Sequence, residues 1–249
     1  MHLKSFILDR QEFEKKKVVN KFMLLERALN LLNSKTFWFA NPEEWNDPFE
    51  KRFINATYGS NQKFAWKGRV FCTCFTNNNT SEASWNAYSK NEPCIKFSFD
   101  RKELLQFLDD IQLNNNNWQV YFDRVEYMRT AFIKKPLPKI PFDPEPKRRD
   151  LHSMELKERL LLLKRKAFKY EQEYRAIIVK PKITKERGIS VPIPNHGKLI
   201  KEVTIGPTVR DDTCKMLKEL FQNKYNFNPS QIKKSLLYES IPEGIKIKI

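Results

Sequence analysis

The chain has 249 residues, 40% hydrophobic and 13% aromatic, which is too much apolar material for a disordered chain and enough for a sizeable core. No run of about 18 apolar residues is present, so no helix is expected to cross a membrane. Four scattered cysteines and three distant histidines argue against a disulfide scaffold and against a His/Cys zinc site, and no metal ligands are assigned.

Residues 1–17 form a charged lead-in without the apolar stretch of a secretory signal, so a reducing, cytoplasmic setting is expected. Residues 18–22 read as a first strand. Leu24, Leu25, Ala28, Leu29 and Leu32 then recur at helical spacing. The aromatic run 36–40 reads as a buried strand, and Asn41 before Pro42 as the cap of a helix kept short by Asp47-Pro48. Residues 69–75 alternate as a strand. Asn79 and Glu82 have the spacing of a capping box opening a helix to about residue 90. A strand at 94–99 leads to a second box at Asp100 and Glu103, a helix, and one strand over 118–128. Residues 134–150 hold five prolines among basic residues and read as an extended loop. A long basic helix is expected over 153–169, strands over 174–179, 199–206 and 236–241, a helix over 210–224 and a last small strand over 245–249. Strands and helices without a regular βαβ rhythm predict one α+β domain over 1–249. Its sheet would be mixed and mainly antiparallel, with flanking helices. Six glycines in the whole chain leave no glycine-rich phosphate loop.

Four segments are richer in functional residue types than a core requires. Asn46 and Asp47 before Pro48 make a tight turn, or present polar groups to a ligand at a strand end. Cys72 and Cys74 share one strand face, where buried cysteines act as small hydrophobes. Trp85 and Tyr88 share a helix face and would belong to a core or flank a planar group. In the stretch 170–175, an extended backbone puts Glu171, Glu173 and Arg175 on one face and Tyr174 on the other. Such a carboxylate pair forms a surface ion pair with the arginine, does acid/base work, or holds Mg²⁺.

In order, Lys21-Phe22, the strand ending at Pro42, Trp45-Asn46-Asp47-Pro48-Phe49, Thr73 to Thr76, Trp85 with Tyr88, Phe99-Asp100 and Tyr170-Glu171-Gln172-Glu173-Tyr174-Arg175 resemble a bacterial family of unknown function, DUF2971, over about residues 18–241. The likeness departs at Met23, Pro93 and Phe168, where that family tends to have Arg, Val and Trp. The order of parts also resembles, at the level of fold, the ADP-ribosyltransferases. That likeness implies an enzyme using NAD as substrate, in a toxin or defence role. Glu171 or Glu173 would stabilise charge on the ribose, Trp85 and Tyr88 would flank the nicotinamide, and Lys21 or Arg175 would bind the pyrophosphate. With 46 Lys and Arg against 30 Asp and Glu, the net charge of +16 favours a nucleotide or nucleic-acid partner. A non-catalytic module binding nucleic acid or protein, and an Mg²⁺-dependent nuclease using Asp47, Glu50, Glu171 and Glu173, are the alternatives.

Overall fold

A computed structural model describes residues 10–45, 47–54, 57–58, 62–63, 68–79, 81–89, 92–115, 117–129 and 160–239. The expected lead-in over 1–9, the proline-rich loop 134–150, the first part of the basic helix and the last strand lie outside these residues.

The elements run α1 (Arg10–Lys15), β1 (Val18–Leu24), α2 (Leu25–Ser34), β2 (Thr36–Ala40), α3 (Pro48–Ile54), β3 (Thr57–Tyr58), β4 (Gln62–Lys63), β5 (Val70–Thr76), α4 (Glu82–Ser89), β6 (Cys94–Asp100) and α5 (Arg101–Asn114). They continue with β7 (Gln119–Arg124), β8 (Glu126–Met128), β9 (Leu163–Arg165), β10 (Glu173–Val179), β11 (Gly188–Pro192), α6 (His196–Leu199), β12 (Ile200–Ile205), α7 (Asp211–Asn223) and β13 (Ile232–Lys234). Short 3₁₀ turns occupy Pro42–Glu44, Lys166–Glu171 and Pro229–Gln231. The architecture is α+β, as expected. Among the described residues a nine-stranded sheet runs β11-β2-β5-β1-β6-β12-β13, with β10 between β5 and β7. Every pair in it is antiparallel except β12 with β13.

The sheet forks at β5. One edge of β5 carries β10 along its whole length, from Glu173 opposite Thr76 to Val179 opposite Val70. The other edge is shared by two strands that touch it at one residue pair each, β1 at Asn20–Thr76 and β2 at Ala40–Cys72. Helix α2 joins the diverging strands, and its Ala28, Leu31 and Leu32 pack on the sheet.

Alternation sorts the side chains onto two faces. On one face Val19, Met23, Phe71, Phe75, Phe97, Phe99, Ala176 and Ile178 meet the apolar stripes of α2, α5 and α7 in the main core. The other face has two small apolar clusters, Val70, Cys72, Tyr121 and Ile177 under residues 160–163, and Phe22, Trp85 and Cys94 under α4. Between them this face is polar, with Asn20, Thr76, Ser98, Asp123, Glu173 and Arg175 all buried.

Several expectations are corrected. Residues 160–169 are not helical: they form a turn, strand β9 and the start of a 3₁₀ turn. Leu160 to Leu163 are each buried, and four consecutive buried side chains do not fit the single apolar stripe of a helix. The backbone is instead held by parallel pairing of β9 with β8. The strand over 118–128 breaks at Val125, whose N–H turns to Glu173 O at 2.8 Å. The strand placed at 236–241 is found earlier, at Ile232–Lys234, where three residues pair with the edge of β12; Leu236 is exposed. Asn79 does not cap α4. Ser81 does, through its backbone and side-chain oxygens, while Asn79 takes the ammonium of Lys96 at 2.6 Å.

Candidate functional site

The polar strip comes to a focus at Arg175. Strand β10 alternates Glu173 and Arg175 onto the polar face, opposite Thr76 and Cys74 on one neighbour and, for Arg175, opposite Asp123 on the other. Arg175 is 1% exposed, and all its nitrogens are engaged. Nε donates to Glu173 Oε1 at 2.7 Å, Nη1 to the Leu161 carbonyl, and Nη2 to Glu50 and to Glu173 Oε2. The Trp45 ring lies 4.4 Å from Cζ, a cation–π contact from the segment preceding α3.

Glu173 is the hub. Its second oxygen accepts from Lys164 Nζ at 2.9 Å, its backbone N–H donates to the Tyr127 hydroxyl at 2.8 Å, and the Cys74 thiol donates to its carboxylate. Burial alone would raise its pKa. Arg175 and Lys164 outweigh that and hold Glu173 well below the usual carboxylate range.

Glu171 reaches the same cluster by another route. The chain is not extended from 170 to 175: Gln172 turns through φ 44°, after the 3₁₀ turn has ended on Glu171. The turn is fastened to the end of β5, with Thr76 Oγ1 donating to the Glu171 carbonyl, Asn78 Nδ2 to the Tyr170 carbonyl, and Asn77 N to the Gln172 carbonyl. Glu171 then meets Lys164 Nζ at 2.5 Å. Burial pushes Glu171 up, Lys164 opposes this, and Glu173 adds to it. Two carboxylates on one ammonium thus have pKa values driven apart, one fixed as an anion and one poised to bind a proton.

Lys21 enters from the fork. Because β1 has left β5, the Cys74 carbonyl accepts from Lys21 Nζ, at 2.7 Å, instead of from a strand. The ammonium also donates to Thr73 Oγ1 at 3.0 Å and lies 5.4 Å from the Phe75 ring centroid. Burial lowers its pKa, with Cys74 and Glu173 opposing. Burial likewise raises the Cys74 thiol. Tyr88 closes the group from α4. Its ring stacks on Phe22 and is 36% exposed, while burial and the charges of Glu173, Cys74 and Glu171 push its phenol well up.

Glu171, Glu173, Arg175, Lys21 and Tyr88 are therefore brought together. The others are not. Trp85 is 3% exposed and packs edge-on against Phe22 in the small apolar cluster with Cys94. Tyr174 lies on the core face, stacked on Phe122 and edge-on to Phe13. Arg175 is consumed by internal partners and has no face for a pyrophosphate. Asp47 sits beside the cluster, bound to Arg165, and Asn46 is outside the described residues. Sequence reasoning missed Lys164 and Tyr127 and gave Cys74 no part in the site. The legible signal for Lys164 was a cation directly after four leucines, too apolar a flank for a solvated helix. Tyr127 carries no such signal.

Among the described residues no group of three or more His, Cys, Asp or Glu side chains is placed to hold a metal ion, and no helix is long and apolar enough to cross a membrane.

Residues 84–176 match the family model DUF2971, described as a protein of unknown function. The match starts within α4 and ends in β10, so it includes Tyr88, Lys164, Glu171, Glu173 and Arg175, while Lys21, Asp47 and Glu50 precede it. The resemblance read from the sequence holds over that span. No curated protein and no solved structure matches the chain.

Proposed function

We propose that the chain is an NAD-cleaving enzyme of the ADP-ribosyltransferase type, with Glu171 as the catalytic carboxylate and Glu173 as the fixed anion that tunes it. The observation that carries this reading is the pair of carboxylates on Lys164 whose proton affinities are driven in opposite directions. In such a reaction the bond between the ribose C1′ and the nicotinamide nitrogen breaks, and its electron pair returns to the ring. Positive charge builds on the ribose and is stabilised by a nearby anion. A hydroxyl or water then bonds to C1′ and gives its proton to a base.

Glu171 suits the second task. It is partly exposed, whereas Glu173 is buried beneath it. The charge of Glu173 raises the proton affinity of Glu171 and adds negative potential where the cation would form. Tyr88, on the open side of the same cluster, offers an aromatic surface to the leaving ring. Glu173, Glu50 and Glu171 are already neutralised by Arg175 and Lys164, an arrangement that suits this chemistry better than Mg²⁺ binding.

The test is nicotinamide release from NAD, followed by chromatography. Glu171→Gln should lower the rate by about 10²-fold or more, the typical contribution of a positioned acid or base, while its thermal unfolding stays cooperative. Equal release by the wild type and a folded Glu171→Gln variant would overturn the assignment.

A further inference from the structure

Beside the cluster, two buried polar atoms of one ion pair have no hydrogen-bond partner, Asp47 Oδ2 and Arg165 Nε. An arginine and a carboxylate commonly close side-on, with two parallel N–H···O bonds. This pair meets at one corner only. Arg165 Nη2 donates to Asp47 Oδ1 at 3.1 Å, and the same oxygen accepts the Phe49 N–H at 2.9 Å. The remaining oxygen and the remaining N–H are left as an acceptor and a donor on neighbouring groups. The Asp47 side chain is 9% exposed, and that of Arg165 is 32% exposed, which gives the pair an approach from solvent. The rings of Phe49 and Phe168 lie 5.8 and 5.0 Å from the guanidinium carbon and supply flat apolar walls.

We propose that this pair is a recognition site for an aromatic primary carboxamide, whose N–H donates to Asp47 Oδ2 and whose carbonyl accepts from Arg165 Nε. An acceptor beside a donor matches an amide and rejects a carboxylate, which brings two acceptors and a negative charge. The site adjoins the acid cluster at two points of the chain. Asp47 precedes Glu50, which binds Arg175, and Arg165 follows Lys164, which binds Glu171 and Glu173. The inference rests on the NAD-cleaving reading for its place in catalysis and specifies which group of the dinucleotide is held here, the nicotinamide amide.

The experiment uses the full chain and two free bases, nicotinamide and nicotinate, with affinities from ligand-observed NMR. Wild type should prefer nicotinamide by about tenfold or more, since a mismatched buried polar pair is discriminated at least that strongly. Asp47→Asn turns the acceptor into a donor, and it should reverse the order in favour of nicotinate. Arg165→Lys removes the directional Nε–H but keeps the charge, and it should weaken nicotinamide by about tenfold while unfolding stays cooperative; it decides the matter if the Asp47 variant does not fold. Absence of nicotinamide binding, or loss of both bases by the same factor in Asp47→Asn, overturns the proposal. The two readings fail separately: a base switch without NAD cleavage leaves the carboxamide site standing, and NAD cleavage without a base switch leaves only Glu171 and Glu173.

Discussion

Replacing Arg175 with methionine tests the cluster directly. The guanidinium is 1% exposed and compensates two carboxylates, Glu173 at 3% and Glu50 at 8%. Methionine fills a similar volume but leaves Glu50 with no ion-pair partner among those described and Glu173 with Lys164 alone. Breaking a buried pair from one side costs about 3–5 kcal/mol, because the stranded charge stays buried. That is a large part of the roughly 5–15 kcal/mol that holds a domain folded. The triple change Arg175→Met, Glu173→Gln, Glu50→Gln removes the charges together and should recover most of the loss. Urea unfolding followed by tryptophan fluorescence reads it, with Trp45 4.4 Å from the substituted group as a local reporter. The acid side gives a second check. Glu173 has a folded pKa below its unfolded value of about 4.3, so its stabilisation is complete above that pH and is lost as the pH falls through and below it. In Arg175→Met the main cause of that depression is gone, and the acid-side loss should shrink. A single-variant cost under about 1 kcal/mol, or a triple variant no more stable than the single, would refute the account of these charges as mutually compensating.

Other consequences are equally direct. Lys96 is buried against Asn79, and desolvation lowers its pKa to about 8 against the modest pull of Glu202. The folded state therefore disfavours its charge, and wild type should gain roughly 2–3 kcal/mol relative to Lys96→Met as pH rises from 8 toward 10.5; parallel stability curves would count against this. Burial raises the thiols of Cys72 and Cys74 and pushes Cys94 up to about 12. In a Cys214→Ser background a thiol-specific chromophore at pH 8 should find no fast-reacting cysteine until urea is added, and a fast equivalent in the folded protein would contradict it. At Gly188, on the edge strand, an added Cβ would meet the ring of Trp38 and the Phe39 carbonyl at 2.7 Å. Gly188→Ala should cost about 1–3 kcal/mol by overpacking, and a neutral thermal shift would show that β11 can move away from β2.

What the sequence revealed follows from which forces act locally. Strands β1, β5, β6 and β10 are dense in β-branched and aromatic residues, and each is found within one or two residues of its expected place. Asp100 caps α5 as its spacing implies, accepting from the N–H groups of Lys102 and Glu103. Asn79 and Glu82 have the same spacing and fail, because Lys96, seventeen residues away, takes the Asn79 side chain. A capping signal holds only where no buried charge competes for the oxygen. Residues 160–169 fail for a related reason. Periodicity cannot separate a short fully buried strand from a buried helix, and the deciding contact is with β8, from the far side of 130–159.

The site was half legible for a reason that lies in the fork. Glu173 and Arg175 share a face by the two-residue period of any strand, so their meeting is written in the local sequence. Lys21 cannot be placed that way. On β1 it occupies a core-facing register position, opposite Phe97, where a lysine looks like a misfit. It fits only because β1 and β2 part at β5 and leave the Cys74 carbonyl without a strand partner. An unmet backbone acceptor in an apolar setting is costly, and a buried ammonium without acceptors is costlier still. Each removes the other's penalty. The same gap brings a cation within electrostatic reach of Glu173 from the far side of β5, so three carboxylates face Arg175, Lys164 and Lys21 across one broken ladder. The divergence of two strands, rather than any motif, is what gathers charge at this point of the sheet.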